Sequence, residues 1–158
     1  MRMQWKNLLL VVAVTMAVCF GFAGALQAVD DVMQLNEPSY PHTKGPVEFS
    51  HKKHATEYKA ACGDCHHDDK GQPLADLKDG DPVQKCVECH KKPGEVPKEV
   101  KKDWKDKKMK KEEADKLSLE YHAEALHENC RVCHRDHNKA NNTQAAPTKC
   151  NDCHPKEK

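Results

Sequence analysis

The chain has 158 residues and a formal net charge of +1, with 32% charged and only 5% aromatic residues. That length suits a single domain, yet much of the 37% hydrophobic fraction sits in the first stretch of the chain. An ordinary side-chain core is therefore excluded: either the rest is largely disordered, or something apolar that is not polypeptide fills its middle.

The N-terminus opens with the short basic "MRMQWKN" and runs into the apolar "LLLVVAVTMAVCFGFAGAL". This is the pattern of a secretory signal over residues 1–25, with Ala23-Gly24-Ala25 as the small-residue cleavage site and a mature domain over 26–158. Two weaker readings stand beside it. The run from Leu8 to Leu26 would barely span a bilayer if left uncut. Lipidation at Cys19 is disfavoured by bulky Val18 and Met16 around it.

Leu26 to Pro46 has scattered Pro and Gly and little periodicity, so an extended arm is expected, with short strand around "PVEF". Four motifs then follow: Cys62-Gly-Asp-Cys65-His66, Cys86-Val-Glu-Cys89-His90, Cys130-Arg-Val-Cys133-His134 and Cys150-Asn-Asp-Cys153-His154. They use all eight cysteines that remain after the leader, and a helical turn is expected at each. Between the second and third motifs, "KEVKKDWKDKKMKKEEADKLSLEYHAEALHENC" predicts one long helix, rich in good helix formers and free of Pro and Gly. Its Lys98–Lys111 portion carries eight lysines against three acids. A solvated helix face explains this; a docking surface for an acidic redox partner is the functional alternative.

Eight cysteines in an exported chain normally suggest four disulfides. A histidine after every second cysteine points elsewhere. Covalent attachment of haem c needs two thiols for the two vinyl groups and an imidazole that reaches the iron from the same side. Residues i, i+3 and i+4 of one helical turn provide this. Zinc sites and thioredoxin-like pairs use CxxC but do not require that histidine four times over. Four haems also resolve the missing core, because their apolar faces need covering and only about 33 residues are available for each. The haems must pack against one another, close enough to exchange electrons.

The motif histidines His66, His90, His134 and His154 each take one axial position, leaving His42, His51, His54, His67, His122, His127 and His137. After the leader only Met33 and Met109 could compete, and neither is near a motif. Bis-histidine iron at all four haems follows, at potentials below those of Met/His cytochromes. His67 follows His66 directly, and neighbouring side chains on a helical turn diverge by about 100°. It reaches a different iron, so "CHH" staples two haems together. His51 and His54 lie one turn apart and can feed two irons. His127 is favoured over His122 as the remaining distal ligand without the alternative being closed, and His42 and His137 are expected to face solvent.

The segments "PVEFSHKKH" and "CGDCHH", followed by three further motifs with a histidine just ahead of the third, resemble the class III tetrahaem cytochromes c, the cytochrome c3 family of sulfate-reducing bacteria. The resemblance covers Pro46 to His154. It implies a small, mainly α single-domain fold with few short strands and much irregular chain, wrapped around four haems. It also implies that His51 caps the haem of Cys62 and Cys65, His54 that of Cys130 and Cys133, His67 that of Cys86 and Cys89, and His127 that of Cys150 and Cys153. This chain departs from the family pattern in two places. All four cysteine gaps are two residues, where typical members have four in the second and fourth motifs, and Lys91 to Glu120 is long. Both point to a variant such as the acidic or type II branch.

The expected function is a periplasmic, low-potential electron carrier rather than an enzyme. By family resemblance it would take electrons from a hydrogenase and pass them to a membrane-bound multihaem or quinone-linked complex in anaerobic sulfate respiration. Nucleic acid is not an expected partner, nor is a membrane span once the leader is removed. Residues 26–158 carry 24 Lys and Arg against 25 Asp and Glu. Four ferric haems with ionised propionates add about −1 each, and electron uptake should then draw protons. The competing reading is a multihaem reductase of metal ions or small oxyanions with one open iron, against which the supply of histidines argues.

Overall fold

In the computed structural model, residues 30–154 are described. The leader, its cleavage pattern and Cys19 lie outside them. Two strands, β1 (Met33–Leu35) and β2 (Val47–Phe49), precede six helices: α1 (His51–Thr56), α2 (Cys86–Cys89), α3 (Lys98–Asp106), α4 (Lys111–Ser118), α5 (His122–Ala140) and α6 (Cys150–Cys153), with a 3-10 turn at Cys62–Asp64. The strands pair antiparallel with Met33 opposite Phe49 and Leu35 opposite Val47. The strand expected around "PVEF" thus finds its partner inside the arm, where the sequence showed no alternation. Three residues are too few to display a period of two.

Side-chain burial is minimal. Among the described residues only Val96, Tyr121 and His122 are buried. The polypeptide alone therefore cannot supply the apolar burial that normally offsets chain entropy, as the composition foretold.

The single long helix expected over 98–130 is corrected to three helices, α3, α4 and the first half of α5. After α3, Lys108 enters the left-handed region at φ 50°. Met109 N–H donates to Trp104 O at 2.9 Å and Lys108 N–H to Lys105 O at 2.9 Å. That bond pair is a Schellman motif with lysine at the position usually held by glycine. After α4 the chain trades helical bonds for tertiary ones. Lys92 N–H donates to Glu120 O at 2.9 Å, His122 N–H to Lys92 O at 2.9 Å, and Ala123 N–H to Gly94 O at 3.0 Å. The long excursion from Lys91 to Glu120 is therefore closed at its base, with a Lys92–Glu120 ion pair and a Lys92–Tyr121 bridge beside the second motif. Helix propensity set the local conformation, and this closure decided where it stops.

Candidate haem-binding site

Each CxxCH motif occupies one turn. His66 N–H donates to Cys62 O at 2.8 Å, His90 N–H to Cys86 O at 2.9 Å and His154 N–H to Cys150 O at 2.8 Å. The third motif lies inside α5. Residues i, i+3 and i+4 of such a turn lie on one face. Among the described residues the eight motif cysteines form no disulfide. Burial pushes the Cys130 thiol up to about 11, with the charges of Cys65, Cys153 and Cys86 adding to it. Burial likewise raises Cys65 and Cys86. Attachment points from all four motifs are thus close enough to feel one another.

The histidines fall into four facing pairs. Ring centres are 6.4 Å apart for His51 and His66, 6.1 Å for His54 and His134, 5.9 Å for His67 and His90, and 6.2 Å for His127 and His154. Two imidazoles bonded to opposite sides of one metal, each with a metal–nitrogen bond of about 2 Å, have centres about 6 Å apart. Among the described residues no group of three or more His, Cys, Asp or Glu converges on a metal-sized point. Each pair could therefore hold a haem iron between its two rings. The residues present fit haem c: a thiol pair on one turn, its histidine on the same face, and a second imidazole opposite.

Hydrogen bonds orient the rings. The Nδ1–H of His54 donates to Ser50 O at 2.8 Å, that of His67 to Asp68 O at 2.7 Å, that of His134 to Pro147 O at 2.6 Å, and that of His154 to Gly45 O at 2.7 Å. His90 makes the same bond to Leu119 O, at the base of the excursion. Such a bond holds the proton on Nδ1, leaves the Nε2 lone pair free for a metal, and fixes the ring's direction. Burial, then the charges of His51 and His67, lower the pKa of His66, which favours the neutral form a metal needs.

The remaining histidines have other roles. His122 is buried at 7% exposure, and its Nδ1 lies 2.8 Å from the Tyr40 hydroxyl, so it ties the arm to the start of α5. It is His127, not His122, that stands opposite His154. His42 and His137 are exposed. Sequence reasoning did not find Tyr40, nor Glu95, whose Oε1 lies 3.5 Å from Nδ1 of His127. It also missed the carbonyl acceptors. Backbone carbonyls leave no trace in residue identity, and a lone Tyr or Glu in a polar stretch carries no periodic signal.

Comparison with known proteins identifies the family. The sequence model of the class III cytochrome c family matches residues 27–154. A cytochrome c3 of Maridesulfovibrio salexigens is 35% identical over 118 residues, covering 73% of this chain and 84% of that protein. A cytochrome c3 of Desulfovibrio desulfuricans is 31% identical over 116 residues, covering 72% and 82%. No solved structure matches the chain. The family carries covalently attached c-type haems, typically four, and serves electron transport. With CxxCH turns and facing imidazoles on a chain that has almost no core of its own, this protein belongs to the class III cytochrome c family.

Proposed function

We propose that the chain is a periplasmic carrier of low-potential electrons that holds four haems c. Cys62 and Cys65, Cys86 and Cys89, Cys130 and Cys133, and Cys150 and Cys153 would form the thioether links. His51 with His66, His67 with His90, His54 with His134, and His127 with His154 would close the irons. The haems, when bound, supply the reversible Fe(III)/Fe(II) couples. The chain supplies imidazole pairs that favour the ferric state, and so a low potential. The observation that carries this reading is the set of four facing pairs, each joining one motif histidine to one non-motif histidine.

His66 and His67 are adjacent yet face different partners, His51 and His90. That arrangement supports rings held side by side and rapid exchange between them. The reading extends to a hydrogenase or similar donor, a membrane redox complex as acceptor, and proton uptake coupled to reduction. The leader sequence supports export. Among the described residues no helix is long and apolar enough to cross a membrane.

Intact mass of the protein isolated from the periplasm, with exposure of the dithionite-reduced form to carbon monoxide, tests the reading. A mass equal to the cleaved chain plus four haems, and no carbon monoxide adduct, is expected. Bare polypeptide mass overturns the haem assignment. Rapid adduct formation at one haem overturns the closed-carrier reading in favour of a reductase.

A further inference from the structure

One ligand histidine differs from its counterparts in what its outer nitrogen meets. Five of the eight place Nδ1 against a backbone carbonyl. His127 places it against a carboxylate, with Glu95 Oε1 at 3.5 Å. We propose that Glu95 is a positioning and potential-setting residue for the iron held by His127 and His154, making the haem of Cys150 and Cys153 more reducing than a neutral acceptor would.

Glu95 is held on both sides. Its predecessor Gly94, at φ 65°, accepts the N–H of Ala123 through its carbonyl at 3.0 Å. Its successor Val96 is the most buried residue described, at 4% exposure, and its N–H donates to Glu124 Oε1 at 3.3 Å. The neighbouring carboxylate, Glu124, is neutralised by Lys101 Nζ at 2.8 Å. Among the described residues Glu95 has no Lys or Arg within ion-pair distance; its side chain is 61% exposed, so solvent screens part of its charge.

The physical consequence has a definite sign. A carboxylate 3.5 Å from Nδ1 favours a proton on that nitrogen and so raises the donor strength of the imidazole at Nε2. It also places negative charge near the iron. Both stabilise Fe(III) over Fe(II), which lowers the potential. Glu95 lies in the excursion from Lys91 to Glu120, the part of the chain that departs most from the family pattern, so this tuning would belong to chains that carry the excursion.

The inference rests on the ligand pairs proposed above, and the test separates the two. Glu95→Gln keeps the shape and removes the charge; Glu95→Asp keeps the charge and shortens the reach. In the holoprotein, intact mass and the low-spin EPR signals report whether four bis-imidazole haems are present in each variant, which checks the ligand reading alone. Spectroelectrochemical titration, with each haem followed by its ferric-state methyl NMR resonances, then reads the potentials. Expected for Glu95→Gln is a positive shift confined to the haem joined to Cys150 and Cys153, with Glu95→Asp falling between Gln and the parent. Four unmoved potentials, an equal shift of all four, or a shift at another haem would overturn the proposal.

Discussion

The imidazoles of His54 and His134 face one another with centres 6.1 Å apart and planes only 25° from parallel. Phe49 lies against the same His54 ring, centres 4.7 Å apart, and limits its rotation. The other three pairs are twisted further, at 57° for His51 and His66, 80° for His67 and His90, and 88° for His127 and His154. Plane angle sets how the ferric d orbitals split. Low-temperature EPR of the oxidised protein should therefore show an ordinary rhombic low-spin signal from the His54–His134 haem and strongly anisotropic signals from the two near-perpendicular pairs. Four identical rhombic signals would contradict the geometry.

Replacing one distal ligand should move one potential. His54→Met substitutes a thioether for an imidazole and weakens donation to ferric iron. The haem of Cys130 and Cys133 is expected to rise in potential and to gain the near-infrared band of methionine ligation, with the other three retaining their spectra. A redox titration followed optically and by NMR reads both.

The Tyr40–His122 contact should govern acid stability. Its 2.8 Å bond joins the arm to the buried start of α5. Burial lowers the pKa of His122 below the ordinary 6.5, outweighing the attraction of Glu37. The unfolded chain then binds a proton that the folded one resists. The stabilising contribution is full above pH 6.5 and declines as pH falls toward the lower folded value. Tyr40→Phe should cost about 1–3 kcal/mol at pH 7.5, because it strands the buried Nδ1. His122→Leu should flatten the slope of stability against pH below 6.5. Guanidinium unfolding of the holoprotein at several pH values measures both.

Gly63 is needed for close approach. A Cβ there would meet Pro73 Cβ at 3.2 Å and the backbone of Leu74 and Ala75 at 3.3 Å. This return segment bonds back to the first motif, with Leu74 N–H donating to His66 O at 2.9 Å and Pro73 bridging His67. Gly63→Val should push it away, costing about 1–3 kcal/mol. A lower thermal midpoint and a perturbed signal from the haems of His66 and His67 are expected, with the His127–His154 haem unchanged.

Local spacing made the chemistry legible. Two cysteines and a histidine at i, i+3 and i+4 fall on one face of a single turn whatever surrounds them, so the four CxxCH motifs could be read from the chain and each is found as a turn. Composition likewise declared the absence of a side-chain core. The segment 98–130 was read less well: its helix formers predicted one rod, and the chain breaks twice without a Pro or Gly to mark either break. Lys108 accepts a left-handed conformation because the Met109–Trp104 bond caps α3, and the second break arises because Lys92 offers Glu120 and His122 a pairing partner.

Residue identity alone determined how many donors the protein has and which of them sit beside a thiol pair, because those are matters of counting and of one-turn geometry. Tertiary structure decided which imidazole faces which across 15 to 80 residues of chain, that His127 and not His122 meets His154, and that Leu119, Pro147 and Gly45 lend their carbonyls to the rings. The reason is physical. A local motif is set by bonds within a turn, whereas a facing pair depends on how the long excursion and the N-terminal arm close on the motifs, and no short stretch of sequence carries that closure.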